Sequence, residues 1–219
     1  MKISLTNAGK RFNREWIYRG ATLEFSSGNA YAVTGPNGSG KSTLLQAIGG
    51  MLQLSEGKIE YATNNQKLAD EEAYRHISFC APYMEVIEEM TFKEFLEFHQ
   101  RFKPLLPSFN SNKIIEEVGL ESAAQKQIRN YSSGMKQRVK LAQAIFSNTD
   151  IVLLDEPCSN LDVKGVELYH SLIHAYCQER LVVVCSNDEV EYNFCNEVVS
   201  ILSFKNRSQL STRDGQQVP

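Results

Sequence analysis

No stretch of the sequence approaches the ~20 consecutive apolar residues that a membrane-crossing helix needs. If the protein works at a membrane, another chain has to supply the span. Positive charge is not in excess either: 23 Lys and Arg stand against 26 Asp and Glu, a net charge of −3. That excludes a general basic field for nucleic acid, and no nucleic-acid partner is expected. There is no C-x-x-C pair, and the five cysteines, at positions 80, 158, 177, 185 and 195, are odd in number. Several fall in apolar runs, which suits small reduced core residues in a cytosolic protein rather than a disulfide framework. The opening Met1-Lys2-Ile3-Ser4-Leu5 is too short and polar to read as a signal peptide. Internal repeats and low-complexity tracts are missing, so 219 residues suit one domain, or one domain with an insertion, able to bury a full core.

What is present centres on Gly35-Pro36-Asn37-Gly38-Ser39-Gly40-Lys41-Ser42-Thr43, which fits G-x-x-x-x-G-K-[ST]. The apolar run Ala30–Thr34 before it reads as a buried strand, and Leu44–Ile48 after it as a helix. Glycines let backbone N–H groups close round a phosphate, and the helix start adds the positive end of its dipole. Lys41 is placed to reach the outer phosphates and the Ser42 hydroxyl to bind Mg²⁺.

Ile3 and Leu5, and later Leu23 and Phe25, alternate with polar neighbours, which predicts half-exposed strands beside the phosphate-loop strand. Between them, Gly9–Tyr18 reads as a polar loop with exposed aromatics. Phe12 first, and Trp16 second, could stack on a purine or simply cover the sheet edge. Lys58–Tyr61 and Ile77–Ala81 read as strands, residues 62–72 as a polar loop. Apolar residues at helical spacing from Met90 to Phe102 and from Asn112 to Leu120 predict two amphipathic helices. Residues 83–130 are therefore expected to form a helical insertion in a sheet-centred domain, 1–204, followed by a loose polar tail, 205–219.

Ser132 and Ser133 can cap a helix start, and with Gly134 they offer hydroxyls and free N–H groups to an anion. Ile151–Leu154 is wholly apolar, the mark of a strand covered on both faces, and it ends in Asp155-Glu156-Pro157. Asp155 is placed to hold the metal and Glu156 to polarise the attacking water as base. His170 and His174 stand at i, i+4, but no third ligand accompanies them, and they read as structural. Val182–Val184 and Val198–Leu202 complete the strand candidates.

Phosphate loop, serine-glycine cap, apolar strand ending Asp-Glu-Pro, then Ser159-Asn160-Leu161-Asp162: over nearly all of 1–204 this order resembles the ATP-binding cassette family. Gly35–Thr43 looks like its Walker A, Ser132–Gln137 like its signature, Ile151–Glu156 like Walker B, and Ser159–Asp162 like the D-loop. Phe12 matches the adenine-stacking aromatic. Three departures stand out. Tyr131, Ser133 and Met135 replace the usual Leu, Gly and Gln of the signature. No glutamine stands near Pro82 or Tyr83, where the family's Q-loop has one. Asn187 occupies the position of the switch histidine; it can hydrogen-bond a γ-phosphate but carries no charge.

The resemblance implies an α/β phosphate-loop NTPase with a mainly parallel sheet, a small antiparallel part and a helical insertion. It also implies ATP and Mg²⁺ as ligands, and a head-to-tail dimer, of like or unlike chains, with each ATP between one chain's loop and the other's cap. The implied activity is ATP hydrolysis that powers membrane permease subunits on separate chains, from the inner face of the cell membrane. A soluble cassette ATPase and a non-hydrolysing ATP-gated clamp are the alternatives that the sequence leaves open.

Overall fold

Every residue of the run Ile151–Asp155 is buried, because this strand lies in the middle of a sheet covered on both faces. Val152 and Leu154 enter one hydrophobic cluster and Ile151 and Leu153 the other, the two-residue period of a strand. The structure, a computed structural model, describes residues 1–64 and 66–205. In chain order its strands and α-helices are β1 (Lys2–Phe12), β2 (Glu15–Ser26), β3 (Ala30–Thr34), α1 (Lys41–Ile48), β4 (Glu56–Thr63), β5 (Gln66–Lys67), α2 (Asp70–Ala73), β6 (Ile77–Cys80), α3 (Phe92–His99), α4 (Ser111–Glu117), α5 (Ser133–Ile145), β7 (Ile151–Asp155), α6 (Val163–Tyr176), β8 (Leu181–Cys185) and β9 (Glu197–Ser200).

Five strands form a parallel sheet in the order β6-β7-β8-β3-β9. Their C-terminal ends share one edge, where open α/β sheets place their ligands. Helices α3 to α6 cover one face through a cluster that includes Phe92, Leu96, Ile114, Val139, Ile145 and Tyr169. The other face packs on α1 and on a second, antiparallel sheet of order β2-β1-β4-β5. All five cysteines are unpaired. Burial pushes the Cys80 thiol up to about 12 and raises Cys185 as well, so both behave as small core residues.

The apolar pairs near the N-terminus do form strands, but not beside the phosphate-loop strand. Ile3 faces Phe25 and Leu5 faces Leu23 within the second sheet, while both edges of β3 are taken by β8 and β9. The expected loop over Gly9–Tyr18 is a hairpin: β1 runs to Phe12, β2 starts at Glu15, and Asn13 turns with φ +54°. Its polar residues face solvent, which hides a strand from a pattern search. Residues 62–72, expected as loop, hold the Ala62↔Lys67 and Thr63↔Gln66 pairs and the single turn of α2.

Helix α3 is shorter than its apolar pattern. Thr91 and Glu94 form a reciprocal cap at its start, Phe92, Phe95 and Leu96 are buried, and Phe98 and Phe102 meet edge to face in the open. The last strand ends at Ser200, and Ile201–Phe204 is a 3-10 turn. Of the expected polar tail, 206–219 lies outside the described residues.

Candidate functional site

Gly35–Thr43 links the C-terminal end of β3 to the first residues of α1. Gly40 stands at φ +105°, and a Cβ there would lie 2.4 Å from Ile17 Cγ2, so the loop admits only glycine at that point. Lys41 is buried and donates from Nζ to the carbonyls of Gly35 and Pro36 at 2.7 and 3.3 Å. Its ammonium is thereby held over the loop. Residues 37–43, Ile17 and Glu156 line one pocket of about 220 Å³. Ile17 was invisible to motif reading. It reaches the loop from β2, a long-range neighbour that no local spacing announces.

Asp155 and Glu156 end β7, and β8 lies between that strand and β3. Asp155 is 2% exposed. Burial pushes its pKa up and Glu156 adds to this, against the pull of Ser42, Lys41 and Tyr83. Its Oδ1 is buried without a hydrogen-bond partner. A buried carboxylate with one unpartnered oxygen, interacting with the Ser42 hydroxyl, is a donor set of hard oxygens that suits Mg²⁺ completed by phosphate oxygens.

Glu156 has φ +43°, a left-handed backbone that turns its side chain out of the strand into the phosphate-loop pocket. Asn187 is exposed and follows β8 by two residues, on the same sheet edge. The position without a glutamine is filled by Tyr83. Its half-exposed phenol approaches both Asp155 and Gln46 of α1, and the turn that carries it starts at the end of β6. The resemblance marks this position only as lacking the family's glutamine; the pairing of Cys80 with Leu154 brings Tyr83 beside Asp155.

The serine-glycine cap stands apart. Ser132 caps α5, its Oγ accepting the Met135 N–H at 3.2 Å, which leaves the hydroxyl proton free to donate. Ser132, Ser133 and Gly134 line a different pocket of about 360 Å³ with Arg138 and Asn160–Asp162. This pocket and the phosphate-loop pocket have no lining residue in common.

Phe12 is 48% exposed near the tip of the β1–β2 hairpin, with the Lys10 ammonium 5.1 Å from its ring centroid. Trp16, the second choice, has the Arg11 and Arg19 guanidinium groups 5.5 and 4.7 Å from its ring, so its faces are engaged. His170 and His174 line a separate pocket on α6, and among the described residues no group of three or more His, Cys, Asp or Glu could hold a metal.

The ABC transporter family model matches residues 18–159. An uncharacterized ABC transporter ATP-binding protein of Bacillus subtilis, YybJ, is 32% identical over 177 residues, 78% of either chain. The cytochrome c biogenesis ATP-binding export protein CcmA of Xylella fastidiosa is 34% identical over 154 residues, 70% of this chain and 69% of its own. Among solved structures, a dimeric post-hydrolysis state of the ATP-binding cassette MJ0796 bound to ADP and Pi superposes with a TM-score of 0.78. It is 26% identical and covers 90% of this chain and 93% of its own. Phosphate loop, serine-glycine cap and Asp-Glu strand end follow one another along the chain, and the chain belongs to the matched family: it is an ATP-binding subunit of the ABC transporter family.

Proposed function

We propose that the chain hydrolyses ATP as one half of a head-to-tail pair and thereby drives permease subunits on separate chains. The observation that carries this reading is the separation of the two anion sites. The loop pocket and the cap pocket share no lining residue, which supports a site made from the loop of one copy and the cap of another. A similar cassette in a dimeric state with ADP and Pi supports the arrangement.

Gly35–Thr43 wraps the phosphates with backbone N–H groups, and Lys41 moves from loop carbonyls to phosphate oxygens. Phe12 stacks on the adenine. Ser42 and Asp155 would hold Mg²⁺, which would supply neutralisation of the phosphate charge. Glu156 takes a proton from the attacking water, and Asn187 donates a hydrogen bond to the γ-phosphate. From the opposite copy, Ser132, Ser133 and Gly134 complete the cradle. The loop alone binds ATP, the full binding energy is available only in the closed pair, and loss of the γ-phosphate opens it. Among the described residues no helix is long and apolar enough to cross a membrane, which suits a subunit held at the inner membrane face by its permease.

The test is the Glu156→Gln variant. It retains ATP, so it is expected to double in mass with ATP and Mg²⁺ and to release no phosphate, while wild type releases phosphate and stays mostly single. Phosphate release by the variant at the wild-type rate would remove Glu156 as base. ATP binding without any change in mass would remove the paired site.

A further inference from the structure

One buried carboxylate beside the site has no part in the chemistry above. Glu191 is 6% exposed and ends the short 3-10 turn Glu189–Glu191 that follows Asn187. Its Oε1 accepts the Cys158 N–H at 2.7 Å. Cys158 stands two residues beyond Glu156. The residue between, Pro157, is held as well: Gln137 Nε2, on α5 and 2% exposed, donates to its carbonyl at 2.7 Å. Glu156 itself donates its N–H to the Cys185 carbonyl at 2.9 Å and accepts the Ser159 N–H at 3.1 Å.

These bonds surround a backbone that resists its own conformation. At φ +43° a residue with a side chain stands roughly 1–2 kcal/mol above a right-handed one, and such a turn persists only where its neighbours impose it. A carboxylate accepting a backbone N–H is among the stronger ways to impose it. The turn that carries Glu191 is itself fixed. Asp188 Oδ1 accepts the Val190 N–H at 3.0 Å, the Asp188 carbonyl accepts the Glu191 N–H at 3.0 Å, and the Tyr169 hydroxyl donates to the Glu191 carbonyl at 2.9 Å. One rigid turn therefore carries Asn187 at its approach and, at its end, the group that grips the chain after Glu156.

We propose that Glu191 is a positioning residue for hydrolysis: its carboxylate locks the Glu156–Cys158 turn to the segment bearing Asn187, so that the base and the γ-phosphate partner keep a fixed mutual geometry. This rests on the reading of Glu156 as the base. Removal of the grip leaves ATP binding intact, because the phosphate loop and the cap have their own supports, and loosens only the alignment of water, base and phosphate.

Two variants separate geometry from charge. Glu191→Asp keeps the charge but withdraws the oxygen by one methylene, beyond reach of the Cys158 N–H. Glu191→Gln loses the charge but keeps an oxygen acceptor in place. The expected result is a kcat lowered about 10- to 100-fold in E191D, the scale of a small misplacement of catalytic groups. Its KM and ATP Kd stay within about twofold of wild type, and kcat in E191Q stays within about threefold, because the acceptor remains. Slow hydrogen exchange at the Cys158 amide is expected in wild type and E191Q and faster exchange in the aspartate variant. Wild-type kcat in E191D, equal losses in both variants, or a loss confined to KM overturns the proposal. If E191D does not fold, Glu191→Leu, of similar size and without an acceptor, takes its place with the same expectation. Failure of the functional reading is recognised separately: there, wild type releases no phosphate and Glu156→Gln changes nothing.

Discussion

Alanine at Gly134 puts one methyl group between the serine-glycine cap and the loop that follows Glu156. An ideal Cβ at this position meets the Asn160 carbonyl oxygen at 2.9 Å, where ordinary contact begins at 3.4 Å. The two backbones must part by 3.4 − 2.9, about 0.5 Å. In the lone chain this costs little. Asn160 is exposed, with φ +64°, and its loop has room to yield, so Tm is expected to fall by no more than about 3 °C. In the proposed pair the same displacement moves the cap against a nucleotide held by the other copy. Overpacking of that kind costs about 1–3 kcal/mol, which weakens pairing roughly 5- to 150-fold. Sedimentation equilibrium with ATP in the Glu156→Gln background reads the pairing, and calorimetric titration of the single chain reads ATP affinity at the loop. Pairing is expected to weaken while loop affinity holds, since Gly134 lines none of the phosphate-loop pocket. Unchanged pairing, or a parallel fall in loop affinity, refutes this reasoning.

Asn187→His is expected to raise kcat, because an imidazolium stabilises developing γ-phosphate charge that an amide meets only with a dipole; steady-state phosphate release at fixed ATP affinity checks it, and no gain counts against it. His99 is expected to make stability fall between pH 6.5 and about 4. Burial, assisted by Lys103, holds its folded pKa down at about 4, so in that window the unfolded chain binds the extra proton. Urea midpoints from pH 7 to pH 4 should drop less in His99→Gln than in wild type, and parallel curves would contradict the assignment. Tyr83→Phe removes the phenol that approaches Asp155 and is expected to raise the Mg²⁺ concentration needed to tighten ATP binding severalfold, with metal-free binding unchanged.

The parts of the molecule legible in the sequence are those whose chemistry lies in consecutive residues. Gly35–Thr43 is one contiguous glycine-rich turn between β3 and α1, and Asp155-Glu156 stands at the end of β7. Ser132 must precede α5 to cap it. The apolar runs of β7 and β8 announce a sheet covered on both faces for the same local reason. What escaped is what distant segments assemble. Ile17 touches Gly40 from another sheet, Tyr83 comes beside Asp155 through the β6–β7 register, and Glu191 grips Cys158 across 33 residues. The β1–β2 hairpin escaped for a different reason. Its tip carries Arg11, Arg14 and Glu15 on solvent-facing positions, and the Arg11 and Arg19 cations on the Trp16 ring stand in for the apolar contact that usually marks a strand.

The central claim, that each nucleotide is held by two copies in complementary halves, is met most directly by mixing two defective chains. Lys41→Ala spoils the loop and leaves the cap; Gly134→Asp spoils the cap and leaves the loop. A head-to-tail pair of the two contains one site with both defects and one with neither. Neither variant alone should pair with ATP or release phosphate, while an equimolar mixture should regain both, with one tightly held ATP per pair. A mixture no more active than the sum of its parts would mean that loop and cap serve the same chain, and the two-copy site would have to be abandoned.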